Sequence, residues 1–350
     1  MNNRLIMWAA PVVVLLILLV LIFVLLPLFR SIGQPTPPMV PEAPSIALLN
    51  NNIVQDRPIQ ALYQASVRAE ALGWSPELLA SVGAIWYANG DPWLAADTWW
   101  AAFQAAPDHI ETARRLAETL LEVQRWPEAL DVLNRLLTLL PDDRWAHYQI
   151  GLLLAASNPP VAWQHLAVAG QEGAYQDTTT ALLLVMSPVA DAAGAMRVGA
   201  VLAERELWPY AEIAFSYAAA ARQNYPEALA YTGLARDKQG KDGSQQIAAA
   251  LQQSPDNPQI LYLYGLHLRA IGDYLGSQVI LLQAATLEPE NPAFAAETGT
   301  AYHLNGDMAQ AEAWLKVAVR LSGNAPAFTD LLAAFYTETG ISEGEDNTTP

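Results

Sequence analysis

From residue 58 onward, apolar and polar positions alternate with the period of an amphipathic α-helix, and short turns rich in Gly, Asn and Asp separate the helical blocks. Several blocks begin at a proline, which is favoured in the first helical turn because the N–H that it lacks would be unpaired there. These prolines are Pro76, Pro226, Pro258, Pro292 and Pro326. The pattern predicts an all-α fold built from helix pairs.

Small residues recur at a fixed distance along these blocks. Gly265 and Gly299 are 34 residues apart, and each opens a similar series of small and larger residues. Numbered from the proline, positions 8, 11, 15, 20, 24 and 27 are Gly299, Tyr302, Gly306, Ala311, Leu315 and Ala318 in one unit. They are Gly265, Leu268, Gly272, Ser277, Leu281 and Ala284 in another, and Gly83, Trp86, Gly90, Ala95, Trp99 and Ala102 in a third.

This series resembles the tetratricopeptide repeat, a 34-residue helix–turn–helix unit. The resemblance implies an α-solenoid, in which helix pairs stack into a right-handed superhelix. Glycine or alanine at positions 8 and 20 lets the two backbones approach closely, and larger side chains at positions 11 and 24 fill the space beside them. One unit cannot bury its apolar face alone, so the units must stack.

The remaining units are less regular, and together they predict an array over 76–340. About seven units are expected, with a single C-terminal capping helix after Pro326. The second helix after Pro226 is shorter by about two residues than in the regular units, and the unit from Arg144 is about one residue short. A break near 171–191 predicts one added helix, and 58–74 predicts an N-terminal capping helix. The acidic tail 341–350 is predicted to be disordered.

The first thirty residues differ from the rest of the chain. Leu5 to Phe29 is an unbroken apolar run, long enough to cross a bilayer core of about 30 Å as one helix. A cleaved signal peptide is the alternative, although its apolar stretch is usually shorter. Arg4 before the run and Arg30 after it nearly balance, and the positive-inside rule slightly favours an extracytoplasmic repeat domain. A Pro-rich linker over 31–50 follows.

Composition narrows the function classes. The chain has 35 acidic and 18 basic residues, a net charge of −17, and such a surface repels nucleic acid. There is no cysteine, which excludes disulfides and thiolate chemistry. The chain therefore predicts no nucleic-acid partner.

Candidate catalytic or metal-ligating residues are sparse. The five histidines, His109, His147, His165, His267 and His303, form no H-E-x-x-H motif, and no serine nucleophile elbow is present. We interpret the histidines as packing or surface residues. The sequence predicts no enzyme, no cofactor and no metal.

The resemblance implies instead a binding groove, which the first helices of the units line with positions 2, 5, 9 and 12. A basic residue at position 5 with Asn at position 9, as in relatives that hold carboxylate-ended peptides, is absent here. The groove is mostly apolar and aromatic, which suits a peptide or helix partner. The predicted partner-binding residues are Tyr87, Arg114, Glu118, Trp145, Tyr148, Leu152, Tyr262, Leu266, Arg269 and His303.

Trp93 and Trp100 lie outside the repeat's core positions, and we expect them to pack under the 58–74 helix. A docking patch and contact with the membrane are the alternatives. The function that fits best is a membrane-anchored, non-catalytic scaffold for a protein or peptide of unknown identity. Two other functions remain open. One is an assembly factor for an envelope machine, such as secretion, pilus or cytochrome maturation, and the other is an accessory of polysaccharide synthesis.

Overall fold

The computed structural model describes residues 43–54 and 57–341, and within this part of the chain every regular element is an α-helix. The helices are α1 (Ile46–Val54), α2 (Pro58–Leu72), α3 (Pro76–Ala88), α4 (Pro92–Ala105), α5 (Ile110–Glu122), α6 (Trp126–Leu139), α7 (Arg144–Leu154), α8 (Pro159–Ala169), α9 (Gln176–Val185), α10 (Ala192–Glu204), α11 (Trp208–Ala221), α12 (Pro226–Asp237), α13 (Ser244–Gln253), α14 (Pro258–Ala270), α15 (Tyr274–Leu287), α16 (Pro292–Leu304), α17 (Met308–Leu321) and α18 (Pro326–Thr339).

The helices pack in consecutive pairs. Seven pairs lie in the described chain, namely α3/α4, α5/α6, α7/α8, α10/α11, α12/α13, α14/α15 and α16/α17, and α18 packs on the last of them. The second helix of most pairs also packs on the first helix of the next. The all-α prediction is confirmed, and the arrangement is that of a tetratricopeptide-like solenoid. The right-handed superhelix stays a prediction.

Glycine notches let the two helices approach closely in six of the seven pairs, as the 34-residue pattern predicts, and Ala117 takes the same position in α5/α6. A Cβ added to Gly83 would lie 2.6 Å from Trp99, and one added to Gly199 would lie 2.4 Å from Phe215. Real Cβ atoms do not come so near, so only glycine permits this approach. In the shorter units the partner residue moves closer in sequence. Gly151 faces Leu166, and Gly233 faces Ile247.

Except in α7/α8, the turns inside the pairs place a left-handed residue at position 15. Gly272 has φ +86° there, a conformation that glycine adopts without a Cβ penalty. In two irregular units this position is occupied by a larger residue in the same left-handed conformation, namely Gln124 with φ 60° and Glu206 with φ 58°. Their backbones carry a strain that the glycine-containing turns do not.

The break in the array contains α9, and beyond it pairs that are distant in sequence come into contact. Tyr210 of α11 packs against Trp126 of α6, with their ring centroids 5.8 Å apart. The Gln124 side-chain amide donates to Gln239 Oε1 at 2.7 Å, across 115 residues of sequence. Lys241 donates to both Gln124 and Glu212. We call Gln124, Glu212, Gln239 and Lys241 the cross-array cluster.

The N-terminal part of the described chain differs from the prediction in two places. The linker was expected to extend to residue 50, but α1 begins at Ile46 and packs with α2 against α3. The apolar contacts of α2 go to α3, where Leu78 and Ile85 are buried. Trp93 and Trp100 therefore do not pack under α2. Trp93 is 58% exposed. Trp100 packs beside Phe103 against the hydrophobic core that α4 to α7 share.

Two predictions concern segments outside the described residues. The apolar run from Leu5 to Phe29 precedes the described residues, and so does most of the Pro-rich linker. The tail beyond residue 341 follows them. Among the helices of the described ranges, none combines the length and the apolar character that a membrane crossing requires.

Candidate functional site

The ten residues predicted to bind a partner all belong to first helices of the pairs, but their side chains have different surroundings. Tyr87 lies on α3, Arg114 and Glu118 on α5, and Trp145, Tyr148 and Leu152 on α7. Tyr262, Leu266 and Arg269 lie on α14, and His303 lies on α16. Only some of these side chains reach an open surface.

Tyr87 and Glu118 meet at a recess between α3 and α5. The recess is a cavity of about 250 Å³, and Trp99, Arg115 and Thr119 also line it. We call it the α3–α5 recess. Tyr87 and Glu118 are exposed at its rim, and Arg115 Nη1 lies 3.7 Å from Glu118 Oε2. The recess therefore presents an aromatic ring beside charges of both signs.

Glu122 holds the Tyr87 ring in place at the recess. The Tyr87 hydroxyl donates to Glu122 Oε2 at 2.9 Å, and the ring packs against Trp99 with a centroid distance of 5.8 Å. The hydrogen bond to the Glu122 carboxylate raises the pKa of the Tyr87 hydroxyl, with smaller contributions from burial and from the charges of Glu122 and Glu118. The phenol therefore keeps its proton and donates it in a hydrogen bond to the carboxylate.

Arg114 and Trp145 form a second part of the predicted groove. The Arg114 guanidinium pairs with Asp143, and its Cζ lies 4.7 Å from the centroid of the Trp145 ring. Asp143 also accepts the Ala146 N–H at 2.8 Å and so caps α7. Arg114 is thus engaged by neighbouring helices, which fixes its position and leaves little of its charge for a ligand.

The structure covers three side chains that were expected to face a ligand, namely Tyr148, Leu152 and Tyr262. Leu152 is in the core, and Tyr148 is only 8% exposed because the Tyr175 ring stacks on it at 4.4 Å. Burial raises the pKa of the Tyr148 hydroxyl. Tyr262 stacks on Phe294 of the next first helix at 4.8 Å. These rings join successive helices, and a role for them in binding a partner stays a prediction.

The C-terminal candidates lie at contacts between first helices. Arg269 of α14 forms an ion pair with Glu297 of α16. His303 meets the Phe335 ring edge-on, with a centroid distance of 5.2 Å. Leu266 is half-buried against the core shared by α12 to α14. These side chains stabilise the stacking of pairs, and their role towards a partner is likewise still a prediction.

Sequence reasoning missed Arg115 and Thr119, which line the α3–α5 recess, and Glu122, which accepts the hydrogen bond of Tyr87. They occupy positions 6, 10 and 13 of their unit, which the expected groove positions do not include. The acidic residues of α5 follow one another at helical spacing, because Glu111, Glu118 and Glu122 are separated by seven and four residues. That spacing places them near one face and could have indicated an acidic stripe. In the described ranges no three His, Asp or Glu side chains are grouped so as to hold a metal ion.

Comparison with solved structures gives matches with low TM-scores. No family model matches the chain, and no curated protein matches it. Among solved structures, it is similar to the APC/C hetero-tetramer Cut9-Hcn1, with 12% identity over 85% of this chain and 77% of that one and a TM-score of 0.39. It is similar to YrrB, described as a TPR protein with an unusual peptide-binding site, with 12% identity, coverage of 67% and 97%, and a TM-score of 0.32.

A third similar structure is a tetratricopeptide repeat protein from Parabacteroides merdae, with 15% identity, coverage of 83% and 96%, and a TM-score of 0.33. At such scores the fold assignment depends on the helix pairs and glycine notches of this chain itself. Proteins of this repeat architecture are typically non-catalytic scaffolds. The fold alone does not give a function.

Proposed function

We propose that this chain is a membrane-anchored repeat scaffold that binds a protein or peptide partner on the face formed by its first helices. The α3–α5 recess is the observation that carries the proposal. It is concave and partly apolar, and Tyr87 and Glu118 line it with exposed side chains. An aromatic ring with fixed polar neighbours is the usual composition of a peptide-binding site.

The charge of the recess indicates the chemistry of the partner. Arg115 lies near both Glu111 and Glu118, so one guanidinium faces two carboxylates, and Glu122 adds a third. The whole chain carries a net charge of −17. A partner segment with a Lys or Arg side chain complements this surface and would approach it faster at low salt. We therefore favour a basic, partly apolar peptide.

The membrane anchor comes from the apolar run between Leu5 and Phe29, with the repeat domain on the extracytoplasmic side. The Pro-rich segment after it would act as a short spacer. The partner would then be held near the membrane. Saccharide binding receives less support, because the rings of Tyr148 and Tyr262 stack on other rings.

Site-specific photocrosslinking in membranes tests this function. A benzophenone amino acid replaces Tyr87 in one variant and Trp163, which is 53% exposed on the second helix α8, in the control. We expect one protein to crosslink at position 87 and not at position 163, and Glu118→Lys to abolish that product. Equal yields at the two positions, or a product that persists in Glu118→Lys, would refute the α3–α5 recess as the binding site.

A further inference from the structure

Three side chains from three successive helical segments meet beside the turn after α12. Asp237 is the last residue of α12, Ser244 is the first residue of α13, and His267 belongs to α14. Ser244 Oγ lies 3.0 Å from His267 Nε2, and His267 Nδ1 lies 2.8 Å from Asp237 Oδ2. Both distances are within hydrogen-bonding range.

Burial and hydrogen bonding assign the proton positions in this cluster. The side chains of Asp237 and His267 are 6% and 4% exposed, and the Gly243 N–H donates to Asp237 Oδ1 at 3.0 Å. An ionised carboxylate only accepts hydrogen bonds, so His267 carries its proton on Nδ1. Nε2 is then the acceptor, and the Ser244 hydroxyl donates to it. This is the arrangement of a nucleophile, a general base and a carboxylate that orients the base.

The serine is accessible, unlike the two residues behind it. Ser244 is exposed, and it starts α13, where the first backbone N–H groups have no carbonyl earlier in the helix. Negative charge that develops on an acyl group at Oγ would lie beside the Gln245 N–H and the positive end of the helix dipole. An exposed nucleophile with a buried base suits an acyl group presented on the surface.

Asp242 competes for the same hydroxyl. Its Oδ1 accepts the Ser244 N–H at 2.9 Å, and hydrogen bonds from the Ser244 side chain and backbone lower the pKa of the Asp242 carboxyl. The hydroxyl proton therefore has two acceptors, His267 Nε2 and the Asp242 carboxylate. The negative charge of Asp242 also opposes an oxyanion formed nearby.

We propose that Ser244 is an activated nucleophile, with His267 as its general base and Asp237 as the residue that positions the base, and that it accepts acyl groups from carboxylic esters. Oγ bonds to the ester carbonyl carbon while His267 Nε2 takes the hydroxyl proton. The carbon–oxygen bond to the leaving alcohol breaks, and His267 returns the proton to that oxygen. Water attacks the acyl-serine in the same way, which releases the acid and restores the hydroxyl. This activity goes beyond the proposed binding role and departs from the expectation of a non-catalytic chain.

Sequence motifs do not indicate this cluster. The serine follows a helix–helix turn rather than a strand, so no G-x-S-x-G motif surrounds it. His267 comes from the next repeat unit, 23 residues after Ser244. The stacking of α12 and α14 brings the histidine beside the turn.

Acylation of the full chain in detergent tests the proposal. The protein is treated with p-nitrophenyl acetate, and separately with a fluorophosphonate, and modified peptides are identified by mass spectrometry. We expect the adduct on Ser244 and none on Ser254, which caps the other end of α13. His267→Asn should slow labelling of Ser244 by about 100-fold, the usual contribution of a general base. Circular dichroism of this variant checks that it is folded.

Asp242→Asn gives a second test that does not alter a buried residue. Removal of the competing acceptor and its charge should raise the labelling rate several-fold, since the amide oxygen can still accept the Ser244 N–H. The proposal is overturned if Ser244 is unlabelled, if serines are labelled indiscriminately, or if folded His267→Asn reacts as fast as the wild-type protein. Crosslinking at Tyr87 is independent of these outcomes, so the binding role and the activity can fail separately.

Discussion

Leu281 occupies the space that Gly265 leaves open, so closely that a Cβ on Gly265 would lie 2.5 Å from Leu281 Cγ. Ser277, one turn before Leu281, donates its hydroxyl to the Gly265 carbonyl at 2.8 Å. Backbone and side chain are thus matched at one helix crossing. The same match recurs between position 8 and the second helix in the other glycine-containing pairs.

Gly265→Ala should lower the free energy of unfolding by about 1–3 kcal/mol, because the added methyl group overpacks the crossing. Leu281→Ala should cost about 2–5 kcal/mol, because it leaves a cavity. In the double variant the new methyl group enters that cavity, so the combined loss should be smaller than the sum. Urea unfolding of all three variants measures this coupling, and strict additivity would show that the two residues do not share the space.

Glu206→Gly should stabilise the protein by about 0.5–1 kcal/mol, because glycine relieves the left-handed strain at φ 58°. Gln124→Gly relieves the same strain but removes the hydrogen bonds to Gln239 and Lys241. It should therefore give no gain. Thermal unfolding of the two variants is the measurement, and an equal shift in both would mean that the cross-array contacts of Gln124 contribute nothing.

Stability should fall as the pH drops below the usual range of a histidine, about 6.5, because of His165. Burial lowers the pKa of the His165 imidazole, and the His147 ring adds to the effect, with the two Nδ1 atoms 2.9 Å apart. The unfolded chain therefore binds a proton at His165 more readily than the folded chain does. The stability contributed by the neutral imidazole is complete above the pKa of the unfolded state and is lost as the pH falls below that pKa. Urea unfolding between pH 7.5 and 5.5 should show the loss. The double variant His147→Gln/His165→Gln should have a shallower slope, and an unchanged slope would contradict the role of His165.

Glu212→Gln should lower the free energy of unfolding at pH 7 by about 1.5–3 kcal/mol, the usual value for hydrogen bonds to a charged group. Burial would raise the pKa of the Glu212 carboxyl, but hydrogen bonds from Lys241, Gln239 and Arg236 lower it overall. The stabilising effect of the Glu212 carboxylate is therefore present above the pKa of Glu212 in the unfolded chain. It is lost as the pH falls through the pKa of Glu212 in the folded chain. Glu111→Gln, which breaks an exposed pair with Arg115, should change stability by less than about 0.5 kcal/mol.

The helix pairs were predictable because their signals are local. Gly265 and Leu281 lie in one unit, and the fixed spacing between them is visible in the sequence. Burial of the groove aromatics was not predictable in this way. Tyr148 is covered by Tyr175, which belongs to the inserted segment, and Tyr262 is covered by Phe294 of the next unit. The repeat position of a residue predicts the helix on which its side chain lies. It does not predict which side chains of other segments cover that residue.

Contacts between residues that are far apart in sequence have no periodic pattern that the sequence could reveal. Gln124 and Lys241 are 117 residues apart, and neither occupies a position that the repeat constrains towards the other. Ser244 and His267 likewise belong to different units. Such contacts depend on how pairs are placed after the inserted α9, and the 34-residue period contains no information about that placement.

The contact between Gln124 and Lys241 has a consequence for how the molecule opens. In a strictly linear array each pair touches only its neighbours, so amide protons exchange progressively inward from both ends. Here the second and fifth pairs are also joined directly, which closes a ring of contacts around α7 to α11. Amides within that ring should exchange with solvent deuterium together and slowly, whereas those of α16 to α18 should exchange earlier and independently.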